Sequence, residues 1–142
     1  MRFTRASVAV ALGLLSGACS TPGPVSADDR SALTCTLPSN CVDSQGTGGL
    51  APLKYRGAPV QALAQLETTL KTFAEAQVVR RESLAVHLIF TTPRGFRDEV
   101  SFLIDPTGER IDFRSRSLLG LLDFGKNRSR MQEFALRFQA SE

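Results

Sequence analysis

Hydrophobic residues recur along this chain at two periods, and the changes of period mark its elements. Pro59 pre-sets a first helical turn, and Leu63, Leu66, Leu70 and Phe73 follow at spacings of three and four, on one side of a helix about four turns long. Glu67 and Lys71 stand four apart elsewhere on that helix, a spacing that favours an ion pair. The period then drops to two. Val78 to Arg81 and Leu84 to Thr91 read as strands, the second with Leu84, Val86, Leu88 and Phe90 on one face and Ala85, His87, Ile89 and Thr91 on the other. Glu99 to Asp105 and Arg110 to Ser117 form the clearest hairpin, turned by Pro106-Thr107-Gly108-Glu109. Val100, Phe102 and Ile104 have to share a buried face with Ile111 and Phe113, which sets Phe102 opposite Phe113, Glu99 opposite Arg116 and Ser101 opposite Arg114. Met131, Phe134, Ala135 and Phe138 return to helical spacing near the C-terminus.

The order helix, four strands, helix predicts an α+β fold, a four-stranded antiparallel meander with two amphipathic helices packed on one face. Its other face carries Glu99, Ser101, Asp112, Arg114 and Arg116 and must be wet or covered by loops. Residues 35–142 are read as a single α+β domain. Residues 39–52, with Asn, Asp, Ser and glycines, read as an irregular loop leading into it.

The N-terminus has the three parts of a secretory signal over residues 1–18: Arg2 and Arg5, an apolar run from Ala6 to Leu15, and small residues before Cys19. The run is too short to span a bilayer. Leu15-Ser16-Gly17-Ala18-Cys19 resembles a bacterial lipobox, in which the cysteine is acylated and becomes the new N-terminus. Ordinary cleavage after Ala18 is the alternative, and either route exports the chain. Residues 19–34, rich in Pro, Gly, Ser and acid as far as Arg30, then form a flexible, lipid-anchored tether. The expected location is the cell envelope, facing the periplasm, with Ser20 after the cysteine favouring the outer membrane of a Gram-negative cell. Removing Arg2 and Arg5 from the 17 basic residues leaves 15 against 14 acids. That balance, the lack of Trp and the export signal all argue against a nucleic-acid partner. With Cys19 acylated, Cys35 and Cys41 remain as an even pair in an oxidising compartment and are expected to bridge.

Candidate chemistry is thin. His87 has no nucleophile or acid at a motif spacing and reads as structural; Asp98 and Glu99 are adjacent on a strand and diverge, so no metal and no cofactor is expected. The stretch Phe113–Arg130 is the place to look for a site: Arg114, Ser115 and Ser117 close a strand, and Asp123, Asn127, Arg128 and Arg130 open a helix. Cations at a helix start oppose its dipole, so something must compensate. One reading pairs Asp123 and Asp112 with these arginines, with Asp123 or Asn127 as cap. The other makes an anion pocket from free helix N–H groups and Arg114, Arg128 or Arg130. Leu118 to Leu122 are expected to pack beneath the second helix, with a lipid-touching tip as the alternative.

These residues resemble the bacterial proteins of domain of unknown function 1499. The resemblance rests on Asn40-Cys41-Val42-Asp43-Ser44, on Asp98-Glu99-Val100-Ser101-Phe102, and on Arg114-Ser115, Ser117, Gly120, Asp123, Gly125, Asn127-Arg128 and Arg130. Ser101 and Leu118 depart from the pattern, at places where Glu and Arg are usual. The resemblance implies an exported lipoprotein and implies that the Arg114–Arg130 group belongs together. It supplies no substrate. The functional expectation is an exported, lipid-anchored envelope protein with a non-enzymatic binding or structural role, held to the membrane through Cys19 and open to an envelope protein partner. The alternative is a binding protein or enzyme acting on an anionic small molecule or lipid headgroup at Arg114, Asp123 and Arg128. No catalytic residue and no oligomeric state can be named.

Overall fold

The computed structural model describes residues 30–46 and 49–141. The expected signal, Cys19 and the tether as far as Asp29 lie outside them. Two helices and one antiparallel sheet make the α+β fold, but the sheet has six strands rather than four. The expected four are present as β3 (Ala76–Arg81), β4 (Ala85–Thr91), β5 (Arg97–Asp105) and β6 (Arg110–Ser117), each paired with the next as a meander. The two additional strands are short: β1 (Cys41–Asp43) lies within the expected irregular loop and β2 (Leu53–Lys54) just after it. Both add to the free edge of β6, giving the order β1-β6-β5-β4-β3, with β2 also on β6. They are held by partners more than 50 residues away (Cys41 against Arg116, Leu53 against Ile111), so no local period announces them.

The β5–β6 register sets Phe102 opposite Phe113, Glu99 opposite Arg116 and Ser101 opposite Arg114. One face of the sheet therefore presents Val86, Leu88, Phe90, Val100, Phe102, Ile104, Ile111 and Phe113 to the helices. Helix α1 (Pro59–Leu70) contributes Leu63, Leu66 and Leu70, and α2 (Lys126–Ala140) contributes Met131, Phe134 and Phe138. Phe134 sits at the centre, 4.9 Å from Phe102 and 5.6 Å from Phe73, ring centre to ring centre. Helix α1 is shorter than its apolar stripe: it stops at Leu70, where the Thr69 and Thr72 hydroxyls donate to the carbonyls of Gln65 and Thr69, and Phe73 enters the core from the turn beyond. Glu67 pairs not with Lys71 but with Arg81 of β3.

The opposite face is covered by the N-terminal segment. Residues 30–34, expected in the tether, include a short 3-10 helix (Arg30–Leu33) that buries Leu33 against Ala85 and Leu103. Arg30 reaches Asp105 at 2.7 Å, and Cys35 and Cys41 form a disulfide with Cα atoms 5.7 Å apart. That bridge fixes the turn from which β1 enters the sheet.

Candidate functional site

The residues expected to form one cluster are divided by the sheet. Strand side chains alternate between faces. Because Ile111 and Phe113 face the helices, Ser115 and Ser117 do too, while Arg114 and Arg116 point to the other side with Glu99.

On that far side Glu99 collects both arginines. Arg116 grips its carboxylate with two bonds, at 3.2 and 3.1 Å, and Arg114 adds one at 3.0 Å while also donating to the Ala32 carbonyl. Burial opposes ionisation of Glu99, but bonding and charge from Arg116, joined by His87 and Arg114, outweigh it and hold the carboxyl below its ordinary value. Burial also lowers Arg114, with Arg116 adding to the effect against Glu99. His87 stands on the same face, its Nδ1 2.9 Å from Ser101 Oγ. Burial depresses its pKa and, although Glu99 pulls the other way, Arg114, Arg116 and Arg80 reinforce the fall.

On the helix side a second polar layer lies between β6 and the start of α2. Asn127 is its hub and is fully buried. Its side-chain oxygen accepts from Ser115 Oγ at 2.6 Å and from Arg130 at 3.2 Å; its amide nitrogen faces Asp123, Ser117 Oγ and the Asn40 carbonyl. Asp98, on the same face as Val100, accepts from Ser117 Oγ at 2.6 Å and from Arg130 at 2.7 Å. Arg130 also lies over the Phe90 ring, 4.5 Å from its centre. Asp98 and Glu99 therefore diverge across the sheet.

Asp123 takes the N-terminus of α2. Its carboxylate accepts from the backbone N–H of Gly125 at 2.9 Å and of Asn127 at 3.1 Å, so its charge answers the helix dipole that Lys126 and Arg128 oppose. Among the described residues it makes no ion pair with an arginine, and Asp112 pairs with Arg30 and Arg110 at the far end of the sheet. Arg128 is half-buried beside Gly49. Positions 101 and 118 do not meet either: Ser101 faces Arg114, whereas Leu118 N–H donates to Arg97 O, four residues back along β5.

At the same end of the sheet lies a surface that the sequence offered only as the alternative to packing beneath α2. Leu118 to Leu122 do not pack beneath α2; all four leucines are exposed, and Phe124 is 93% exposed. Leu119, Leu122 and Phe124, with Phe96 of the β4–β5 turn, border a recess of about 460 Å³ that Arg94, Arg97, Asp98, Asp123 and Lys126 also line. The available signal was the run Leu118-Leu119-Gly120-Leu121-Leu122, whose lack of helical or strand period left no face to bury.

Fold and site together define a small α+β protein whose sheet is closed by helices on one side and by its own N-terminal segment on the other, with a buried polar layer joining them. The chain belongs to the family described as protein of unknown function (DUF1499), which it matches over residues 31–138. No curated protein matches it. The residues that carry the likeness have structural duties here: Ser44 Oγ accepts from Phe113 N–H at 2.8 Å, Asp43 Oδ2 accepts from Cys35 N–H at 2.7 Å, and Asn40, Asp98, Ser115, Ser117, Asp123, Asn127 and Arg130 form the helix-side layer.

Proposed function

We propose that this chain is an exported, lipid-anchored protein of the cell envelope that works by binding or support rather than by catalysis. The observation that carries this reading is the fate of the charged stretch: Arg114 and Arg116 are engaged by Glu99, Arg130 by Asp98, and Asp123 by the end of α2. An anion at Arg114, Asp123 and Arg128 would have to draw Arg114 from Glu99, through a sheet that lies between Arg114 and Asp123. The Cys35–Cys41 bridge supports an oxidising compartment, and the leader with Leu15–Cys19 supports export and acylation.

The test is metabolic labelling with palmitate followed by cell fractionation. The native chain takes up label and sediments with membranes. Cys19→Ala loses the label and moves to the soluble fraction, because the acyl chains supply the membrane affinity. A Cys19→Ala chain that still sediments with membranes and still carries palmitate refutes the anchor.

A further inference from the structure

We propose that the protruding tip at residues 118–124, together with Phe96, is a docking site for a bilayer surface rich in anionic phospholipid. It deepens the envelope reading by naming the surface on which the chain works, and rests on that reading only for the presence of a bilayer nearby.

Three features of the tip agree. The first is composition: Leu119, Leu121, Leu122, Phe124 and Phe96 are exposed side by side at one end of the sheet, where a soluble chain gains nothing by displaying them. Phe124 also holds a left-handed backbone, φ 53°, a conformation disfavoured for a bulky residue, and its ring is aimed at solvent.

The second is charge. Arg94, Arg97 and Lys126 border the same recess, are exposed, and make no ion pair among the described residues. Asp98 and Asp123 line that recess too but are committed, Asp98 to Arg130 and Asp123 to the start of α2; Glu75, on the neighbouring recess with Lys126, is the nearby carboxylate that makes no ion pair among the described residues. Glu133, by the neighbouring recess, pairs with Arg137. Apolar side chains ringed by cations complement phosphate headgroups over hydrocarbon.

The third is the backbone, and it favours a bilayer over an aqueous protein partner. A segment entering the interface must bring few unpaired N–H and C=O groups with it. Here Asn40 donates to the Gly120 carbonyl at 2.8 Å, Ser39 Oγ donates to that of Leu121, Asp123 N–H donates to Ser39 O, and Leu118 N–H donates to Arg97 O. Polar groups of the tip thus turn inward to residues 39–40 while its leucines turn outward. The anchor permits the contact: β6, from Arg110 to Ser117, separates the two ends of the sheet by about 25 Å, and the 11 residues from Cys19 to Arg30 can span up to about 40 Å.

The chain contains no Trp, so a single introduced indole reports its own surroundings. The full acylated protein carrying Leu121→Trp is reconstituted in vesicles of phosphatidylcholine and phosphatidylglycerol in equal parts, with brominated acyl chains as quencher. The expected result is a blue-shifted, quenched emission. The control Val60→Trp, on exposed α1 surface, stays in water. Neutralising Arg94, Arg97 and Lys126 (each →Gln) weakens docking about 5-fold per cation removed and on the order of 100-fold for three. Emission unchanged on these vesicles overturns the proposal. So does equal quenching in the triple variant, which removes the role of the cations. A blue shift that grows with protein concentration in the absence of lipid assigns the patch to a second copy and overturns it too. Palmitate content is read on the same preparation. An unacylated chain that docks on added vesicles keeps the tip and removes the anchor; an acylated chain whose tip stays in water does the reverse.

Discussion

The Asp98–Arg130 pair is the interaction whose loss the structure makes most costly. The two side chains are 4% and 10% exposed, the contact is 2.7 Å, and Arg130 is further held by the Phe90 ring and by Asn127. Asp98→Asn removes the charge and leaves a guanidinium under α2 with no counterion, a change that costs roughly 3–5 kcal/mol. Against a total stability of about 5–15 kcal/mol this is a large share. With a urea slope of about 1.5 kcal/mol/M, a loss of 3 kcal/mol lowers the unfolding midpoint by about 2 M. The Glu133–Arg137 pair provides the scale, because its side chains are 54% and 39% exposed; Glu133→Ala is expected to cost under about 1 kcal/mol. Urea melts followed by circular dichroism compare the two. The double variant Asp98→Leu with Arg130→Met removes both charges and is expected to recover much of the single loss, since apolar replacement of a buried pair is often neutral. An Asp98→Asn midpoint no lower than that of Glu133→Ala would refute this account of the polar layer.

At the start of α2, Asp123→Ala removes a cap and should cost about 1 kcal/mol, whereas Asp123→Asn keeps an acceptor and should cost less; melts with Asp123→Asn as damaging as Asp98→Asn would mean that an ion pair governs the site instead. Stability should also fall on acidification in two stages. His87 has a folded pKa below its ordinary 6.5, so the unfolded chain binds the extra proton first and stability declines as pH drops below about 6.5; Glu99, held below 4.5, adds a second loss beneath that value. His87→Gln should abolish the first decline and leave the second, and a melting temperature flat between pH 7 and 5 in the native chain would contradict the assignment.

The central strands and both helix faces were legible because each has a period that only one element satisfies. Val100, Phe102 and Ile104 had to meet Ile111 and Phe113, and this alone set the hairpin register. What escaped was long in range or polar. β1 and β2 are three and two residues long and owe their conformation to β6, not to their own sequence. Asn127 and Ser115 are buried although their types are usually outside, and only the parity of Phe113 with Ser115, and of Met131 and Phe134 with Asn127 and Arg130, places them inward. The same parity would have separated Arg114 from Ser115. Proximity along the chain suggested one cluster; alternation across the sheet divides it in two.

The position of β1 imposes an order on folding. Among the described residues its sheet partner is β6, so β1 cannot pair until Arg114 to Arg116, more than 70 residues further along, have been made and brought back to it. Ser39 and Asn40, which hold the leucine-rich tip, wait for the same event. Contacts spanning about 80 residues close late and slow the search, because loop entropy must be spent before they form. Until then Cys35 and Cys41 lie on an undocked segment, and the tip has no fixed shape to present. A chain interrupted before Arg110 would retain α1 and its hairpin strands but leave β1 with no strand to join.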